Sequence, residues 1–137
     1  MWPRAWLVVA CLALGGVAPA GAACRQNDLR GVWDVYAAGA APAGAYWARC
    51  VIRVQANGVI VSGTRCFYDT GVRTVVDSGR LNIARTCRAT GHLIERAGSQ
   101  LGRSEVPRAT LTRDKDLLVG VAEGSAGSIV LFNAVRR

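Results

Sequence analysis

The chain holds one histidine, His92, and one lysine, Lys115, in 137 residues. A lone histidine with no cysteine or carboxylate at ligand spacing does not make a metal site, and His92 beside Gly91 reads as a surface residue. Without a Cys-x-x-Cys pair, thiol redox catalysis is not indicated. Gly124-Ser125-Ala126-Gly127 lacks the glycine spacing of a nucleophile elbow. Asp114 and Asp116 belong to a turn, where their side chains bond nearby backbone, and Glu95 and Glu105 have no partner that sequence identifies. Helical patterning is also missing: no window of the mature chain repeats apolar residues at i, i+3, i+4 and i+7 between caps. These absences predict a protein that is not an enzyme and carries no metal or cofactor.

What the sequence does contain begins with an export signal. Arg4, an apolar run from Ala5 to Leu14 and small residues up to Cys24 have the order of a cleaved secretory signal peptide over 1–23. The apolar run is about half of the roughly 20 residues needed to cross a bilayer. Cleavage after Ala22 or Ala23 leaves Cys24, Cys50, Cys66 and Cys87, since Cys11 departs with the signal. Four cysteines suit two disulfides in an oxidising periplasmic or extracellular setting. Gly21-Ala22-Ala23-Cys24 is also similar to a lipoprotein box, with Gly21 where leucine is usual, and lipidation of Cys24 would leave three. One domain, 24–137, is expected.

The formal net charge of +8 falls to +7 without Arg4, and every basic side chain except Lys115 is arginine. These arginines are dispersed, which reads as an evenly solvated basic surface. Contact with an anionic envelope surface is the functional alternative, and no specific nucleic-acid site is indicated.

The remaining pattern is of short runs rich in Val, Ile, Leu and Thr separated by Gly, Asn or Asp, the signature of antiparallel strands. A first strand is expected over 28–36 and a loop of Ala, Gly and Pro over 37–44. In 46–55, Cys50, Ile52 and Val54 alternate with Val51, Arg53 and Gln55, as a half-buried strand requires. Asn57-Gly58 marks a hairpin, with a return strand over 59–68. Strands or connections over 73–76, 80–87 and 92–96 follow, then an exposed polar loop over 97–105. Strands over 106–112, 117–122 and 128–135 complete the chain. About eight antiparallel strands joined by short turns predict an all-β, up-and-down barrel, whose closure removes exposed edges.

Gly31-Val32-Trp33 on the first strand, with Arg136 ending the last, resembles the calycin superfamily of lipocalins, avidin-like proteins and small bacterial barrels. The resemblance implies that Trp33 plugs one end of the barrel while Arg136 lies across its ring. Asn57 to Thr64 is similar to the second hairpin of avidins, but their biotin ligands do not follow. Val35 and Arg65 stand where that family has Asn and Tyr, and no tryptophan occurs after Trp47. Biotin binding is therefore not implied.

Cys50 and Cys66 fall near one end of the 46–68 hairpin, one residue out of direct register. Cys24 starts at the other end, where Cys87 also lies if 72–77 forms no independent strand. The preferred pairing is Cys50–Cys66 with Cys24–Cys87, and Cys66–Cys87 competes if 72–77 is a strand of its own. Tyr36, Tyr46, Trp47, Phe67 and Tyr68 cluster about the first loop and the end of the third strand. They either line an open mouth for a ligand or cap a packed core, because eight strands suit both outcomes. The expected function is binding of a small apolar or amphipathic ligand in the barrel mouth. The alternative is a protein-interaction module, such as an inhibitor of an exported enzyme, resembling small bacterial barrel inhibitors of proteases.

Overall fold

Eight strands form a closed antiparallel barrel in simple sequence order in the computed structural model, which describes residues 23–125 and 127–137. The expected signal segment, including Cys11, lies outside the described residues up to Ala22. The strands are β1 (Gly31–Ala41), β2 (Gly44–Val54), β3 (Arg65–Tyr68), β4 (Arg73–Ile83), β5 (Arg88–Ala97), β6 (Gln100–Leu111), β7 (Leu117–Gly124) and β8 (Ile129–Arg136). β8 returns to pair with β1, so no strand keeps a free edge.

The floor of the barrel is built from the residues that precede β1. Asp28 and Leu29, expected at the start of a strand, instead end a 3-10 turn, Gln26–Leu29. Asp28 accepts the Arg25 backbone N–H at 2.8 Å, which caps the turn, and Leu29 is fully buried. Gly31 then redirects the chain with φ +146, a conformation that side chains with a Cβ rarely adopt. The Arg136 side chain also passes 3.6 Å from where a Cβ on Gly31 would stand. Trp33 follows, 1% exposed, donating its indole N–H to the Leu29 carbonyl at 2.9 Å. The Arg136 guanidinium lies 4.7 Å from the centre of the Trp33 ring and donates to the backbone carbonyls of Arg30 and Asp28. Asp28 also pairs with Lys115 at 2.8 Å.

Several segments read as breaks are paired. The 37–44 loop is a hairpin whose arms stay in register to Ala41↔Gly44, because Tyr46 lies over Gly39 and supplies the apolar cover that small residues lack. The polar 97–105 stretch is the β5–β6 ribbon, turning at Gly98 with φ +60. Residues 100–103 are exposed at every position, so no alternation marks them as strand. Ser78-Gly79 does not interrupt β4, which absorbs the irregularity as a register shift between Val76 and Ser78.

The Asn57-Gly58 turn forms as expected, with Gly58 at φ +84, but the return strand does not run unbroken from Val59. Val54 pairs with Ile60 and Cys50 with Cys66, so two extra residues are taken up around Gly63. Residues 58–64 bond sideways to β4, through Ile60 N–H to Gly79 and Gly63 N–H to Val76. This irregular segment closes the barrel beneath the short β3.

Both disulfides are Cys50–Cys66 and Cys24–Cys87. Residues 73–76 are continuous with 77–83 in one strand, which carries Cys87 to the floor beside Cys24. The crosslinks span 63 and 16 residues, and loop-closure entropy assigns about 4 and about 3 kcal/mol to them. Urea unfolding is expected to show a larger loss for Cys24→Ala/Cys87→Ala than for Cys50→Ala/Cys66→Ala. Equal losses would place the tether of the floor in packing, not in the crosslink. Arg136→Met keeps the side-chain stem but removes the cation over Trp33 and orphans two carbonyls; it should cost about 1–3 kcal/mol in the same assay.

Candidate functional site

Strand alternation turns Val35 and Ala37 of β1 inward, with Tyr46, Ala48, Cys50 and Ile52 of β2. The layers above Trp33 are not filled. Ala37, Ala48, Ala122 and Ala134 occupy inward positions where larger side chains would meet, leaving a cavity of about 110 Å³. Leu93, Val106, Leu118, Val130 and Phe132 complete an almost wholly apolar wall. Because Trp33 and the 3-10 turn close the floor, the cavity opens toward the end bearing the β1–β2 and β3–β4 turns. A shallower depression of about 270 Å³ lies at that rim, and Tyr46 and Tyr68 line both spaces. Their ring centres are 5.9 Å apart, with the planes tilted by 46°.

His92, expected at the surface but half-buried, and Ser104 also line the wall, and one hydrogen-bonded polar cluster interrupts it. Glu95 Oε1 accepts from the Thr74 hydroxyl at 2.6 Å, and the Tyr68 hydroxyl donates to the same carboxylate at 2.9 Å from Oε2. Burial, reinforced by the Glu95 charge, pushes the Tyr68 phenol well above its ordinary value of 10.0. The Glu95 carboxylate also lies within 4.8 Å of the Cys50 and Cys66 sulfurs. Those sulfurs are joined to each other, so they offer no thiolate to a metal.

Five aromatic residues were expected at the mouth, and the structure divides them. Tyr46 and Tyr68 face the cavity. Tyr36, Trp47 and Phe67 face outward and are 48%, 56% and 41% exposed. The reason is the two-residue period: Trp47 follows Tyr46 and Phe67 precedes Tyr68, so neighbours on a strand cannot share a face. Outside, Arg49 lies over Tyr36 at 5.5 Å and Arg73 over Phe67 at 5.6 Å. Gly31, Trp33 and Arg136 sit together at the floor, away from this cavity. Sequence reading found no partner for Glu95 and passed over Thr74, because Glu95 lies 27 residues from Tyr68 and 21 from Thr74 along the chain. The inward alanines carried a signal, since small residues at buried strand positions leave space, but that signal needs the strand registers.

The architecture defines a closed eight-stranded barrel with a solid floor and a hollow upper half. No protein-family model matches the sequence, and no curated protein matches it. Among solved structures, the fold is similar to a redesigned β-barrel, mFAP1, determined bound to DFHBI. The similarity has a TM-score of 0.58 at 10% identity, covering 82% of this chain and 97% of that one; it establishes the fold alone.

The raised Tyr68 phenol has a readable consequence. Above about pH 10 the unfolded chain loses this proton while the folded chain keeps it. The stability Tyr68 contributes is therefore complete below that pH and is lost as pH rises toward the higher folded value. Absorbance titration at alkaline pH should resolve one late-ionising tyrosine, and Tyr68→Phe should remove it. Three tyrosines ionising together would contradict the placement of Tyr68.

Proposed function

We propose that the protein is an exported, calycin-like carrier that binds a small apolar or amphipathic molecule inside the barrel and does not transform it. The observation that supports this most directly is the apolar cavity above Trp33, reached from the Tyr46–Tyr68 end. Its volume is of the order of the roughly 150 Å³ engineered cavity that accepts benzene, so one ring or a short alkyl chain fits inside. The remainder of a longer ligand would lie against the rim. The DFHBI held by mFAP1 is a precedent for a small molecule on a barrel of this shape. The signal-like residues 1–23 support export, and two disulfides suit an oxidising compartment. The Trp33–Arg136 stack supports the calycin-like assignment.

The experiment is to fill the space. Titration with benzyl alcohol should perturb the methyl resonances of Leu93, Leu118 and Val130 in the wild-type protein. Ala122→Phe places a ring in the cavity at a cost of about 1–3 kcal/mol, and should weaken that binding by about tenfold or more while the circular dichroism spectrum stays that of a barrel. Perturbation confined to the exterior, or affinity unchanged in the filled variant, would reject an interior site.

A further inference from the structure

An ionised carboxylate withdrawn from water is costly unless something compensates its charge. Glu95 is inward-facing and half-buried on β5, and its compensation by the protein is incomplete. Thr74 and Tyr68 donate neutral hydrogen bonds to it, but no basic side chain among the described residues lies within ion-pair distance. Arg96, the next residue, points to the opposite face and pairs with Asp77. Among the described residues that line the cavity there is no lysine or arginine, and Glu95 is the one carboxylate; His92 is the further nitrogen base on the wall, outside ion-pair distance of it. A carboxylate offers about four acceptor positions; two hydroxyl donors leave capacity for another.

The rings beside it have matching chemistry. Tyr46 and Tyr68 border the same space, and an aromatic face attracts a cation through its quadrupole. The surface arginines bear the opposite charge to Glu95, but their field is screened over about 8 Å at physiological salt. Inside, one carboxylate and two tyrosine rings border the same space, with His92 also on the wall.

We infer that Glu95 is the recognition group for a cationic head. The ligand class is then a small organic amine, with its apolar ring or chain directed down toward Ala134 and its ammonium against Glu95 beneath the Tyr46 and Tyr68 rings. This rests on the carrier reading and adds a sign and an orientation to it.

Three probes of one size separate the two ideas: benzylammonium, benzyl alcohol and benzoate, titrated calorimetrically and by NMR at fixed ionic strength. Wild-type protein should bind benzylammonium about tenfold or more tighter than benzyl alcohol, with benzoate weakest. Glu95→Gln preserves the side-chain shape and an acceptor for Tyr68 or Thr74. It should reduce benzylammonium to the affinity of the alcohol while changing the alcohol by less than about twofold. Benzyl alcohol bound as tightly as benzylammonium by wild type, or a cation preference that survives in Glu95→Gln, overturns the assignment of Glu95 and leaves the carrier standing. Binding of none of the three to folded protein overturns both. If Glu95→Gln does not fold, the wild-type order decides, together with whether benzylammonium shifts the Tyr46 and Tyr68 ring resonances.

Discussion

The guanidinium of Arg136 over the indole of Trp33 joins the last strand to the first, and the floor is built around that stack. The two residues are direct partners in the β1–β8 register. Barrel closure requires contact between the ends of the chain, which is entropically the most expensive pairing to form. A stack with cation–π attraction, backed by hydrogen bonds to the carbonyls of Arg30 and Asp28, concentrates favourable free energy at that seam. The same bonds hold the 3-10 turn across the barrel end. That places Cys24 against Cys87 and gives the Trp33 N–H an acceptor at Leu29. Gly31 is needed because the chain turns there at φ +146, a conformation that a residue with a Cβ rarely adopts.

A solid floor decides where function can reside. With one end closed by Trp33, Leu29 and a disulfide, the interior communicates with solvent at the other end only, and the inward alanines leave room there. Charge is partitioned in the same way. Arginines occupy the solvated exterior, where several lie over aromatic rings or pair with carboxylates, whereas the cavity keeps one acidic group tied to two hydroxyls. The Cys50–Cys66 link joins β2 to β3 next to that group, so the shortest strand and the one acidic side chain that the described residues place on the cavity wall are braced together.

Much of this architecture was legible before any coordinates. Strand composition and turn spacing called for an antiparallel barrel, and the Asn57-Gly58 turn is local; the preferred cysteine pairing was readable only on the condition that 72–77 is not a strand of its own, which the continuous β4 meets. The misplaced elements share a cause. Residues 37–44 and 97–105 lack hydrophobic alternation because one is built of alanine and glycine and the other is solvated on both faces. Pairing with neighbours, not local pattern, makes them strands. The aromatic cluster failed as a set for a simpler reason: nearness along the chain does not put Tyr46 and Trp47 on one face.

Composition and spacing by themselves determined the class of this protein: disulfide-bonded, all-β, with a tryptophan at the start of the meander and an arginine at its end. These are properties of short segments and of residue counts, which need no register. Tertiary structure alone decided that the barrel is hollow and which two of the five aromatics see the cavity. It also brought Tyr68, Thr74 and Glu95 into one cluster. Each of these depends on which strand positions coincide across the barrel, and bulges at Val76, Gly91 and around Gly63 shift those coincidences by one or two residues. A one-residue shift exchanges the inside of a strand for its outside, so such features are set by the closed sheet as a whole.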